Sequence, residues 1–219
     1  MTARIGRFHV ITDTTLQTRW SHAELAQQAA AGGADIVQFR DKHAPTTAAL
    51  VRSAHAILHV LPETTRLVVN DRVDVAAEVG AYGVHLGRED LPLVTARRLL
   101  PRAILGGTVH NLDEARACAE LPLDYVGAGP VFGTRSKSNP APPLGLDALA
   151  AIARTLRCPV IAIGDITPER VAAVLATGAH GIAVLSGVVC RDDPAAAARR
   201  YREALDACRP AVSDAGSRT

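Results

Sequence analysis

Short, continuously apolar runs alternate with longer amphipathic stretches along almost the whole chain. The runs occupy residues 8–12, 36–39, 67–70, 83–86, 103–106, 124–127, 159–163 and 181–185. Apolar runs without polar alternation are what parallel strands covered on both faces require. Helix signals fill the spaces between them. Ser21-x-x-Glu24 is a capping box, Asn111-x-x-Glu114 imitates one, and Thr167-Pro168-Glu169 and Asp193-Pro194 put proline at a first helical position. Gly32-Gly33, Gly80 and Gly178 stop helices just ahead of strands. Eight strand–helix units predict an α/β fold, a single (β/α)8 TIM barrel, with a doubly wound open sheet as the runner-up. No composition shift interrupts the alternation, so residues 1–209 read as one barrel domain and residues 210–219, rich in small and polar residues, as a flexible tail.

The barrel reading directs attention to one end of the molecule, because active sites of such barrels lie at the C-terminal ends of the strands. Those ends carry Gln38, Arg40 and Lys42 after the second run, Asn70 and Asp71 after the third, and Asp90 after the fourth. Thr108 and His110 follow the fifth, Thr134, Ser136 and Lys137 the sixth, Gly164 and Asp165 the seventh, and Ser186 and Gly187 the eighth. The opposite ends offer mostly Gly, Ala and Pro. Polar groups thus collect where chemistry would be.

Composition narrows the function. The chain has 219 residues, 48% hydrophobic and 21% charged, with a net charge of +2, too balanced to argue for nucleic acid. Three Phe, three Tyr and one Trp leave no stacking platform for single-stranded bases. No run approaches the length of a membrane span, and the first residues lack the apolar stretch of a signal peptide. Cys118, Cys158, Cys190 and Cys208 are scattered without a Cys-x-x-Cys, as expected of reduced thiols in a cytoplasmic enzyme. Small-molecule substrates are therefore expected, with no nucleic acid or membrane partner; a homo-oligomer is compatible with the sequence.

Two apolar runs end in carboxylates, Val68-Val69-Asn70-Asp71 and Val84-His85-Leu86-Gly87-Arg88-Glu89-Asp90. On neighbouring parallel strands Asp71 and Asp90 emerge at the same end. They then either cap the following helices or converge on Mg²⁺, an ion usually held by one or two carboxylates plus substrate phosphates. Arg40, Lys42 and Lys137 converging there would neutralise a diphosphate, with Arg able to grip two oxygens at once. Gln38 suits the edge of a heterocycle. The long connection 129–145 has the length of a lid, and the turns at Gly164 and Ser186 fall where these barrels bind phosphate.

The chain resembles thiamine phosphate synthase, a family whose superfamily includes thiazole tautomerase as a second branch. The resemblance is carried by Val37-Gln-Phe-Arg-Asp-Lys42, Asn70-Asp-Arg-Val-Asp74, Gly83-Val-His-Leu-Gly-Arg-Glu-Asp-Leu-Pro92, Gly107-Thr-Val-His110, Asp124-Tyr-Val-Gly-Ala-Gly-Pro-Val-Phe132, Thr134-Arg-Ser-Lys137, Pro143-Leu-Gly-Leu146, Ile161-Ala-Ile-Gly164 and Gly181-Ile-Ala-Val-Leu-Ser186, in order through nearly the whole chain. It implies that an aminopyrimidine methyl diphosphate is joined to thiazole phosphate, giving thiamine phosphate and pyrophosphate. It further implies Mg²⁺ on Asp71 and Asp90, and diphosphate contacts from Arg40, Lys42, Asn70, Thr108 and Lys137 with the Gln38, Phe39 and Asp41 segment. Arg40, Lys42 and Lys137 take the catalytic roles. Thr134, Ser136, Leu185 and Ser186 contact thiazole phosphate, and Arg135 and Gly164 complete the substrate-binding set.

The sequence departs from the family in places. Asp165 stands where the family usually has a glycine against the thiazole phosphate. A full charge within about 4 Å of a phosphate costs about 4 kcal/mol at an effective dielectric of about 20, roughly a thousandfold in affinity. The carboxylate is therefore expected to turn away, held by Arg170 or by a backbone N–H at the next helix. Arg88 replaces a common Gln. Ser186-Gly187 leans towards the tautomerase, an isomerase that would use a general base such as His110. The alternatives to a synthase are thus a tautomerase or a non-catalytic phosphate-binding barrel.

Overall fold

The computed structural model describes residues 5–134, 136 and 141–208. Among them, eight parallel strands close into a barrel in chain order. They are β1 (Phe8–Thr12), β2 (Ile36–Phe39), β3 (Arg66–Asn70), β4 (Gly83–Leu86), β5 (Ile104–Val109), β6 (Tyr125–Ala128), β7 (Val160–Ile163) and β8 (Gly181–Val184). The helices that cover them are α1 (His22–Ala31), α2 (Thr47–Val60), α3 (Val73–Glu78), α4 (Leu93–Leu99), α5 (Leu112–Cys118) and α6 (Gly145–Thr155). A 3-10 turn at Pro168–Arg170 then leads into α7 (Val171–Ala176), and α8 (Ser186–Val189) and α9 (Pro194–Ala207) complete the shell. The pairing of β1 with β8, Phe8 beside Ile182 and Val10 beside Val184, decides between barrel and open sheet. The tail expected at residues 210–219 lies outside the described residues.

The caps behave as their chemistry requires. Ser21 Oγ accepts from Glu24 N at 3.3 Å while Ser21 N donates to the Glu24 carboxylate at 2.8 Å, and Asp193 Oδ1 accepts from Ala196 N at 2.8 Å ahead of Pro194. At Asn111 only half of a box forms: Asn111 Oδ1 accepts from Glu114 N at 2.9 Å, but Glu114 reaches back to His110 N.

Successive strand residues face opposite sides, and this separates two apolar bodies. Val10, Val37, Phe39, Leu67, Val69, Val84, Leu86, Val126 and Val184 belong to the main core shared with the helices. Ile11, Ile104, Tyr125, Ile161 and Ala183 fill the barrel itself. One expectation is corrected in detail. The fifth strand does not stop at Gly106 but runs to Val109, so Thr108 lies within β5. Gly106 makes room there, since a Cβ on it would meet the Tyr125 ring at 2.3 Å and His85 at 2.6 Å. Glycine in this strand marks close approach, not a break. Among the described residues, no helix is long and apolar enough to cross a membrane.

Candidate active site

Strand register brings the two carboxylates together. Asn70 of β3 pairs with His85 of β4, and the chain leaving β3 stays on its neighbour because Asp71 N donates to His85 O at 2.8 Å. Asp71 occupies the left-handed region, with φ of +64°. Aspartate is among the few non-glycine residues that visit that region readily. Asp90 folds back on its own turn, Gly87 N donating to Oδ2 at 2.7 Å. Its carboxyl is held above the ordinary carboxylate range, first by burial and then by the Asp71 carboxylate, with which it shares a hydrogen bond. The Lys42 ammonium pairs with Asp71 from the end of β2. Like-charged carboxylates in contact raise one pKa, and an added cation relieves the repulsion. Among the described residues no group of three or more His, Cys, Asp or Glu side chains is placed to hold a metal. Asp71 and Asp90 therefore fit an ion that takes its other ligands from water and phosphate, which is the habit of Mg²⁺.

Arg40, two residues before Lys42, is paired with Asp13 at the end of β1. Strand-end reading passed over Asp13, although Ile11-Thr12-Asp13 repeats the apolar-run-then-carboxylate pattern of Val69-Asn70-Asp71. Beneath this pair, His22 is fixed by Thr12 Oγ1 at 2.9 Å and Thr14 Oγ1 at 3.3 Å, and lies 3.7 Å from Asp41. Burial lowers the His22 pKa, against the pull of Asp41 and Asp13. Phe39 is 1% exposed and packs edge-on against His22, so its ring belongs to the outer core and only its backbone faces the mouth.

Gln38 points the other way, into the barrel beside Ile11. It shares a hydrogen bond with the Tyr125 hydroxyl, whose pKa burial raises. Tyr125 Oη lies 2.9 Å from His85 Nδ1, and His85 Nε2 lies 2.8 Å from Thr108 Oγ1. Gln38 and Thr108 are thereby linked through two interior side chains that sequence reasoning gave no role. The only hint was a tyrosine and a histidine on otherwise apolar runs. A polar network satisfied in this way fixes rotamers as well as adding stability.

The turns after β6, β7 and β8 complete the mouth. Ser136 N donates to Thr134 Oγ1 at 3.1 Å, and Arg135 and Lys137 lie outside the described residues. Gly164 has φ of +111°, and a Cβ there would meet Pro130 Cα at 2.5 Å. Asp165 turns to Arg170, whose guanidinium also covers the Phe132 ring at 4.4 Å. Ser186 opens α8 directly after Leu185, which packs on the barrel interior. Gly187 is required by packing, since a Cβ would lie 2.3 Å from the Tyr201 hydroxyl. His110 is held by Glu114, 3.1 Å from Nδ1, and Arg88 reaches the same carboxylate at 3.1 Å.

Two cavities lie elsewhere, about 260 Å³ beside Gln17, Trp20 and Arg191 and about 550 Å³ beside Val51, Arg52 and Asp74. Neither includes the Asp71–Asp90 pair.

The family model described as thiamine monophosphate synthase matches residues 8–188, from β1 into α8. The chain belongs to this family. The thiamine-phosphate synthase of Salinibacter ruber is 46% identical over 203 residues, covering 92% of this chain and 89% of that protein. The thiamine-phosphate synthase of Methanoregula boonei is 47% identical over 199 residues, covering 90% and 92%. Among solved structures, the thiamine phosphate pyrophosphorylase of Pyrococcus furiosus superposes with a TM-score of 0.85 at 36% identity, over 93% of this chain and 97% of that one. In this thiamine monophosphate synthase family member, Arg40, Lys42, Asp71 and Asp90 all follow the C-terminal ends of β2, β3 and β4.

Proposed function

We propose that this chain, a transferase, joins the aminopyrimidine methyl diphosphate to thiazole phosphate, giving thiamine phosphate and pyrophosphate. The observation that carries this reading is the Asp71–Asp90 carboxylate pair with Lys42 on it, and Arg40 at the same end of β2 as Lys42, in a barrel of the thiamine monophosphate synthase family. Two soluble phosphorylated substrates and scattered free thiols also fit a cytoplasmic enzyme.

In this reading the bond between the pyrimidine methylene carbon and the diphosphate oxygen breaks, and its electron pair leaves with pyrophosphate. The electron-rich aminopyrimidine supports the cation left behind, and the thiazole nitrogen lone pair forms the new C–N bond. Asp71 and Asp90 would hold Mg²⁺, which when bound neutralises charge on the diphosphate. Arg40 and Lys42 grip the same group, and Lys137 from the β6 loop would meet charge growing on the leaving oxygen. Gln38, set by Tyr125, would address the pyrimidine edge, and Asn70 and Thr108 would complete that half of the site. Thr134, Ser136, Gly164, Leu185 and Ser186 would receive thiazole phosphate. No protein nucleophile is needed, because positioning and charge stabilisation supply the catalysis.

The test is thiamine phosphate formation from the two substrates with Mg²⁺ and with a chelator. Product only with Mg²⁺, and a loss of orders of magnitude in Asp71→Asn, is the expected result. Full turnover under chelation by both Asp71→Asn and Asp90→Asn would remove the metal from the reading. Absence of product under every condition would remove the synthase.

A further inference from the structure

Asp13 is 1% exposed at the end of β1, and a carboxylate so far from water is costly unless its oxygens are satisfied. Both are. Oδ1 accepts from Thr15 N at 2.8 Å and from Thr15 Oγ1 at 2.6 Å. Oδ2 accepts from Nη1 of Arg40, whose side chain is 18% exposed. Register brings the two residues side by side: Thr12 lies beside Phe39, and Arg40 N donates to Thr12 O at 3.3 Å. Among the described residues no other group accepts from the Arg40 guanidinium, so Nε and Nη2 keep their donors for an anion.

We propose that Asp13 is a positioning residue that locks the Arg40 guanidinium in the orientation in which it grips the diphosphate. The inference rests on the reading of Arg40 as a diphosphate ligand. A long side chain held at one nitrogen loses little freedom when a phosphate takes the others, and that preorganisation is worth affinity. A carboxylate that merely competed with the substrate for Arg40 would instead weaken the grip.

The test is a double-mutant cycle of Asp13→Asn and Arg40→Lys, read as separate steady-state constants for each substrate. Asn keeps the shape and an oxygen for Thr15 but loses the charge on Arg40. The expected result is a roughly tenfold to hundredfold fall in kcat/KM for the pyrimidine diphosphate, with KM for thiazole phosphate unchanged. The double variant should be no worse than Arg40→Lys alone, since a lysine presents no planar fork for Asp13 to orient. Additive losses with both KM values raised would mean that Asp13 only supports the fold, and a lower KM for the diphosphate would mean that it competes; either overturns the proposal. If Asp13→Asn gives no folded protein, Thr15→Ala decides, because Thr15 is exposed and both charges remain. A rise in the pyrimidine KM without a change in melting temperature supports positioning, and an unchanged KM overturns it. Failure of the functional reading shows separately, as wild-type protein that forms no thiamine phosphate or an Arg40→Lys variant of full activity.

Discussion

Asp165 and Arg170 are paired: Nη1 of Arg170 donates to Oδ2 of Asp165 at 3.0 Å and to its carbonyl oxygen at 2.8 Å. The sequence posed a difficulty here, a carboxylate where the family has glycine, and named Arg170 as a partner that would draw it aside. Asp165 also carries φ of +47°, a glycine-like conformation kept without glycine. Both side chains are about half exposed, so the pair adds little stability. Asp165→Gly should therefore change stability by no more than about 1 kcal/mol and KM for thiazole phosphate by less than about threefold. Arg170→Ala, which frees the carboxylate, should raise that KM, by about tenfold at most. A gain of two orders of magnitude in kcat/KM for Asp165→Gly would show that the carboxylate faces the site, and that the natural acceptor is less negative.

Lys137→Ala should lower kcat more than it raises KM for thiazole phosphate, because charge on the leaving pyrophosphate grows in the transition state. Lys137 lies outside the described residues, so kinetics rather than geometry must decide its part. An unchanged kcat would leave it a solvated loop residue.

His9 gives the fold a signature in pH. Burial pushes its pKa from 6.5 down to about 4, with Nε2 held 3.0 Å from Gly6 O. Below pH 6.5 the unfolded chain takes up a proton that the folded one refuses until about pH 4. Stability is lost as pH falls through that window, by about 3 kcal/mol in all. Urea unfolding at pH 7 and at pH 4.5 should show a smaller difference in His9→Gln than in wild type. Equal differences would mean that His9 titrates normally in the barrel.

Gly187→Ala should cost about 1–3 kcal/mol, because the new Cβ meets the Tyr201 hydroxyl at 2.3 Å and displaces it from Ile166 O, 3.0 Å away. Adding Tyr201→Phe should recover part of the loss in thermal melts. If Gly187→Ala melts like wild type, packing does not explain the glycine. The Ser186-Gly187 likeness to tautomerases would then regain weight.

Sequence alone was enough for the barrel and for which polar residues gather at the C-terminal ends of its strands. Apolar runs of strand length, punctuated by caps and glycines, are local signals, and parallel connection through helices leaves few ways to arrange them. The same logic marked Arg40, Lys42, Asp71 and Asp90, since a strand's last residues must emerge at its C-terminal end. Gly106 misled because its neighbours are not local: the Tyr125 and His85 side chains that need its empty space come from β6 and β4. Asp13, Tyr125 and His85 acquire roles only when neighbouring strands pair in register, β1 with β2 and β4 through β5 to β6, and alternate side chains turn inward. What tertiary structure decided is who meets whom, Asp71 with Asp90, Asp13 with Arg40, Gln38 with Tyr125. The energies of buried charges and hydrogen bonds depend on those meetings, and residue order does not contain them.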